Sequence, residues 1–274
     1  MLSGKQIGVI LSVGILIVAL YLLPVKGLVN PEEESSPEQT ATEMVFSAGE
    51  LAETAKQNIN PSLLVEIKEI EQQLDANPGD TSLLKELAFQ WEQLNVSTVS
   101  GLYYKELAEK QPTAANWIKA GDELRKGYKS VKDTVQESFL VNQTIAAYEQ
   151  ALELDPENLD AQTGLGAVTV EGTPQPMKGI QLLLGVVEKD PDNPAANLTL
   201  GKFSMQTGQY DKARDRFLTV VENQPGGEVY FYLGEAYRQL GEKEKAISAY
   251  ENTKRYIVDP QFTTMIDNII REMK

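Results

Sequence analysis

The sequence predicts an all-α solenoid of stacked helical hairpins behind one N-terminal transmembrane helix. Three observations predict it. Prolines recur at Pro78, Pro112, Pro156, Pro191, Pro225 and Pro260, spaced 34, 44, 35, 34 and 35 residues apart, and a period near 34 in helix-compatible sequence is what repeated helical hairpins produce. Ahead of each later proline runs an amphipathic stretch with a large residue at one fixed position. Residues 7–23 form the only long apolar run of the chain.

Behind a short flank at 1–5, residues 6–23 are the expected anchor. The run IGVILSVGILIVALYLL carries no charge and would measure about 25 Å as a helix, at the short edge of what crosses a hydrocarbon core. A cleaved secretory signal and a buried core helix are the alternatives; against the signal, the flank is weakly basic and no A-x-A site follows. With no cysteine in the chain, lipoprotein acylation is excluded. The amino terminus and Lys5 stand against Lys26 alone, which Glu32, Glu33 and Glu34 follow. That bias places the N-terminus in the cytoplasm and the repeats outside, in the periplasm of a Gram-negative cell. Residues 24–46, rich in glutamate and proline, read as a flexible acidic linker.

Residues 47–78 read as a degenerate helical pair, Ser47–Asn58 followed by NPSLLVEIKEIEQQLDANP. The array proper is expected at 79–258. In the second helix of each unit the large residue is Tyr104, Tyr148, Leu183, Phe217 or Tyr250, and four positions earlier stands Ser100, Thr144, Gly179, Ala213 or Ala246. One turn apart, the two share a face. The first helix carries a small residue at its middle: Ala88, Gly121, Gly166, Gly201 or Gly234. Glycine inside a helix costs roughly 0.5–1 kcal/mol relative to alanine, so its return at one register implies close helix–helix contact. The prolines are expected to end each hairpin. Two units depart from the pattern. The second is some ten residues long for the period, through DELRKGYKSVKDTVQESF, and the third turns through GTPQPMKG with two prolines. Either is a loop insertion or a local recognition feature. Residues 259–274 are a C-terminal capping helix with Phe262, Ile266, Ile269 and Ile270 toward the stack.

This pattern resembles the tetratricopeptide repeat family, most clearly in NLTLGKFSMQTGQYDKARDRFLTVVENQP and the following VYFYLGEAYRQLGEKEKAISAYENTK. The resemblance covers about residues 79–258 and implies a right-handed solenoid of some five repeats whose first helices line a groove for a protein or peptide. Carried onto this chain, the groove positions include Lys85, Phe89, Arg125, Leu198, Lys202, Met205, Phe231, Glu235 and Arg238, with Glu92, Ile118, Asp122, Thr163, Ala167 and Val170 beside them. Leu198, Met205 and Phe231 form an expected apolar strip, with Lys202 and Arg238 to meet charges. The competing reading packs these residues between adjacent repeats. The positions lack the run of Lys, Asn and Arg with which co-chaperone members clamp a C-terminal carboxylate.

Composition narrows the function classes. Neither histidine nor cysteine occurs, which removes the commonest general base, the thiolate nucleophile and the usual ligands of zinc, copper and iron–sulfur clusters. No phosphate-binding glycine loop or G-x-S-x-G stretch is present, and no cofactor, metal site or enzymatic activity is expected. A net charge of −15 repels nucleic acid. The sequence reading is therefore a single-pass, membrane-tethered scaffold or adaptor of the bacterial cell envelope. Its alternatives are a chaperone of the cytochrome c biogenesis type, a cytosol-facing receptor of reversed topology, and a structural role through self-association.

Overall fold

The computed structural model describes residues 46–274; the expected anchor at 6–23 and the linker up to residue 45 lie outside them. Helix α1 spans Ala48–Lys56 and a 3-10 turn Pro61–Leu64, followed by α2 (Val65–Ala76), α3 (Thr81–Gln93), α4 (Ser97–Lys110), α5 (Ala114–Tyr128), α6 (Thr134–Leu154) and α7 (Leu159–Gly172). Then come α8 (Pro176–Lys189), α9 (Pro194–Gln206), α10 (Tyr210–Asn223), α11 (Gly227–Gln239), α12 (Lys243–Tyr256) and α13 (Pro260–Met273). Among the described residues there is no strand, and no helix is long and apolar enough to cross a membrane.

The prolines decide where five of these helices stop. Asn77, Gln111, Asp155, Asp190 and Gln224 each precede a proline and close α2, α4, α6, α8 and α10 with φ between −128° and −144° and ψ between 73° and 86°. The proline ring disfavours helical geometry in the residue before it, so the helix cannot continue. Pro260 differs from the expectation that every proline ends a hairpin. Helix α12 has already ended at Tyr256, and Pro260 is the first residue of α13 behind the cap Asp259, where its missing N–H costs nothing.

Five hairpins result: α3/α4, α5/α6, α7/α8, α9/α10 and α11/α12, each pair in contact along its length. The first helices of the first four start on a capping side chain, Asp80, Thr113, Asn158 or Asn193, whose oxygen accepts a backbone N–H of the first turn. Three hairpins turn alike. Asn95, Gly208 and Gly241 adopt φ of 57°, 74° and 75°, and the next residue's N–H reaches back five positions: Val96 to Trp91 O, Gln209 to Ser204 O, Glu242 to Tyr237 O, at 2.8–3.0 Å. This left-handed stop reverses the chain within two or three residues.

Inside each hairpin the sequence marks meet. A β-carbon at Gly121 would lie 2.8 Å from the Tyr148 ring, at Gly166 2.7 Å from Leu183, at Gly201 2.5 Å from Phe217, and at Gly234 2.8 Å from Tyr250. The large residue of the second helix thus fills the space left by the glycine of the first. Tyr148, Leu183, Phe217 and Tyr250 are fully buried, each worth about 1.5–3 kcal/mol of transfer energy. The tyrosines also use their hydroxyls within the hairpin: Tyr104 donates to Glu92 at 2.9 Å, Tyr148 to Asp122 at 2.7 Å, and Tyr250 to Glu235.

The core runs in three clusters. A large one extends from α1 through Val168 of α7, and a second from Ala213 to Ile270. Between them lies a small cluster of Ile180, Leu183, Val186, Ala196 and Leu200. Helix α13 packs on the C-terminal end with Ile266 and Ile270 buried and Phe262 and Ile269 half-buried against the stack. At the other end α2 lies on α3, whereas α1 lies on α4.

A groove across three first helices

Helices α5, α7 and α9 stand side by side and enclose a groove of about 430 Å³. Helix α7 supplies the floor. Asp160, Thr163, Gly164, Ala167 and Glu171 recur every three or four residues, so they share one face, and the central three are small enough to leave a hollow. One wall is Ile118, Asp122 and Arg125 of α5 with its cap Lys129. The other is Pro194, Ala195, Leu198, Thr199 and Lys202 of α9, closed at one end by Gln224 and Glu228. A second depression of about 280 Å³ shares Pro194, Ala195, Leu198, Gln224 and Glu228 and carries the surface on to Val220, Pro225 and Val229. Of the second helices only α10 reaches the 430 Å³ groove, through its cap Gln224.

The charged groups of the groove are largely matched within it. Lys129 pairs with Glu171 at 2.6 Å, and Lys202 pairs with Glu228 while its ammonium lies 5.1 Å from the Tyr232 ring centre. Burial of the Arg125 guanidinium would lower its pKa, but Tyr148, Glu171 and Asp122 around it outweigh that and hold it above the ordinary arginine value. Arg125 stays charged. Its buried Nε has no hydrogen-bond partner, and neither does Thr163 Oγ1 on the floor. Burial and the Asp122 carboxylate push the Tyr148 phenol well above its ordinary value, so it remains a donor to Asp122. The surface offers apolar patches at Ile118, Pro194 and Leu198 beside fixed charges of both signs. It suits a polypeptide segment with mixed side chains.

The residues expected to form the groove divide into four groups. Arg125, Leu198 and Lys202 line it, with Ile118, Asp122, Thr163 and Ala167. Lys85 and Phe89 are exposed on α3, outside it, and Phe89 is 48% exposed. Met205 and Phe231 turn toward the C-terminal core. The Phe231 ring lies 5.7 Å from that of Tyr232, 5.8 Å from Phe262 and 6.2 Å from Tyr250, so α13 takes up the apolar end of the expected strip. Glu235 and Arg238 pair with each other at 2.5 Å, one turn apart. The sequence reading missed Lys129, Asp160, Gly164, Glu171, Pro194, Ala195, Thr199 and Glu228. Most belong to the same helix faces, one turn beyond the positions selected; extending the three-and-four spacing along α7 would have found Asp160 and Glu171.

Two profiles of the tetratricopeptide repeat family match the chain, over residues 178–231 and 228–256. Anaphase-promoting complex subunit 3 of Dictyostelium discoideum is 30% identical over 108 residues, 39% of this chain. The chain spans only 11% of that protein's length. Among solved structures, PilW, a type IV pilus biogenesis factor, aligns with a TM-score of 0.55 at 15% identity, over 80% of this chain and 96% of its own. YrrB, described as a TPR protein with an unusual peptide-binding site, aligns at 0.43 and 21% identity over 73% and 97%. MamA of Desulfovibrio magneticus RS-1 aligns at 0.48 and 16% over 64% and 93%. Residues 178–256 thus match tetratricopeptide repeats, and the same hairpin geometry extends back to Thr81.

Proposed function

We propose that this chain is a non-catalytic scaffold that holds a segment of another protein in the groove across α5, α7 and α9. The observation that carries the reading is the hollow made by Thr163, Gly164 and Ala167 between walls that offer both apolar contacts and fixed charge. The fold gives the groove a rigid floor. Glycine and alanine on α7 leave room for an incoming side chain, and main-chain polar groups of an extended or helical segment would meet the charged rim. The absence of histidine and cysteine from the sequence supports a role in binding rather than reaction chemistry.

The uncharged run at 7–23 and the acidic, proline-punctuated stretch that follows support a tethered form: a single membrane span, a linker, and the repeats on the periplasmic side of a bacterial inner membrane. The amino terminus and Lys5 before the run, against Lys26 alone after it, favour that orientation. Protease added to cells whose outer membrane has been opened should digest the repeats. Digestion only after the inner membrane is broken would reverse the topology.

The groove is tested by photo-cross-linking in cells, with the reactive residue at Leu198 and, as control, at Asp215, an exposed position on α10. A partner captured from Leu198 and not from Asp215 is expected. Equal capture at both positions, or none at either, would sink the assignment.

A further inference from the structure

The second hairpin is the long one, and its extra length is used by the chain itself. Measured back from the proline that follows, α4 starts at Ser97 before Pro112, α8 at Pro176 before Pro191 and α10 at Tyr210 before Pro225, each 15 residues ahead. Helix α6 starts at Thr134, 22 residues before Pro156. The added turns therefore lie at its N-terminal end, and they carry Phe139. There the Phe139 ring meets Phe46 edge-on, with centroids 5.3 Å apart and planes at 62°, the geometry in which aromatic pairs attract beyond their buried area. Phe139 and Val131, both supplied by the inserted stretch, pack on the N-terminal core.

Directly behind Phe46, Ser47 caps α1 through a reciprocal bond with Glu50. Helix α1 then lies on α4 with Ala48 and Ala52 fully buried, small residues that let two helices approach closely. Helix α4 is prepared for this cover. It buries eight residues, Val99 to Tyr104 with Leu107 and Ala108, around its whole circumference, whereas α10 buries only Ala213, Phe217 and Val220 on one face. At its far end α1 is tied to α2 by Lys56, which meets Glu71 at 2.5 Å.

We propose that the insertion in the second hairpin is a dock for the segment that leads into the array. It clamps residues 46–55 against α4 and α6, so the chain enters the array at a fixed point on two second helices, neither of which lines the groove. The strap covers the apolar outer side of α4, and its dock lies apart from the groove.

Hydrogen exchange on the full chain, read by mass spectrometry, tests this with Phe139→Ala and Phe46→Ala. Each is expected to speed exchange of amides 48–56 at least about fivefold while α9 and α11 keep their protection. Unchanged exchange at 48–56 in Phe46→Ala overturns the strap, and release by Phe46→Ala but not by Phe139→Ala overturns the insertion as its dock. Should Phe139→Ala loosen the whole array, Val131→Ala, on the same insertion but away from the ring pair, replaces it: faster exchange at 48–56 supports the dock and unchanged exchange overturns it.

Discussion

The first, fourth and fifth hairpins reverse direction through a single left-handed residue, Asn95, Gly208 or Gly241. The second and third do not. One is carried over by Lys129–Asp133 into a helix of 21 residues, the other by Thr173–Gln175 into Pro176 at the first position of α8. The groove draws on both kinds: its floor belongs to the third hairpin and its walls to the second and the fourth. The dock for the incoming chain is the second hairpin's extension. The two irregular hairpins also differ inside. Tyr148 fills the second and donates to Asp122, whereas the third has Leu183 at that position and belongs to the smallest core cluster.

The largest expected effect sharpens that difference. Tyr148→Ala removes a fully buried ring and its hydrogen bond and should cost about 3–5 kcal/mol, against about 2–3 kcal/mol for Leu183→Ala, measured as losses of urea-unfolding free energy. Equal costs would mean that the third hairpin is as well packed as its neighbours. Next in size is a pair of opposite sign. Gly201→Ala drives a methyl into Phe217 and should destabilise by about 1–3 kcal/mol, whereas Gly185→Ala, with nothing within 4 Å of the new carbon, should stabilise by about 0.5–1 kcal/mol. The thermal midpoints of the two variants should move in opposite directions.

The turns should separate the hairpin types more finely. Gly208→Ala and Gly241→Ala force a side chain into left-handed geometry and should each cost about 1 kcal/mol. Ser130→Gly, in the second hairpin's connection, relieves no such strain and should not stabilise. The smallest effect is one of pH. Burial would raise the Glu92 carboxyl, but hydrogen bonds from Lys119 and Tyr104 and the Lys119 charge hold it below its ordinary value near 4.5. Its folded pKa is the depressed one, so its contribution is present above the ordinary value and fades as pH falls through the folded one. Replacing Glu92 by Gln should accordingly flatten the acid side of the stability profile below about pH 4.5 and leave the alkaline side as it was.

The hairpin architecture was legible because its physics is local. A proline restricts the residue before it, and a glycine on one helix marks where a large residue of the next must sit; both leave their trace in the sequence at fixed spacing. The groove was legible in part, since Arg125, Leu198 and Lys202 follow from the first-helix register. Phe231 and Met205 were not separable from groove residues by register alone. The fate of Phe231 depends on α13, which brings Phe262 onto it from beyond the repeats. The use of the second hairpin's insertion was hidden for the same reason, because Phe46 and Phe139 are distant in the chain and neither belongs to the repeat pattern.

The central claim is that the groove between α5 and α9 holds a segment of another protein. The most direct measurement is titration calorimetry of the captured partner against the wild type, Ala195→Trp and Asp215→Trp. Ala195 is exposed and lines both depressions, so the indole fills the groove without disturbing the core. The account predicts that Ala195→Trp weakens binding at least about tenfold, roughly 1.4 kcal/mol, while Asp215→Trp changes it less than about twofold. Undiminished binding by Ala195→Trp would contradict it.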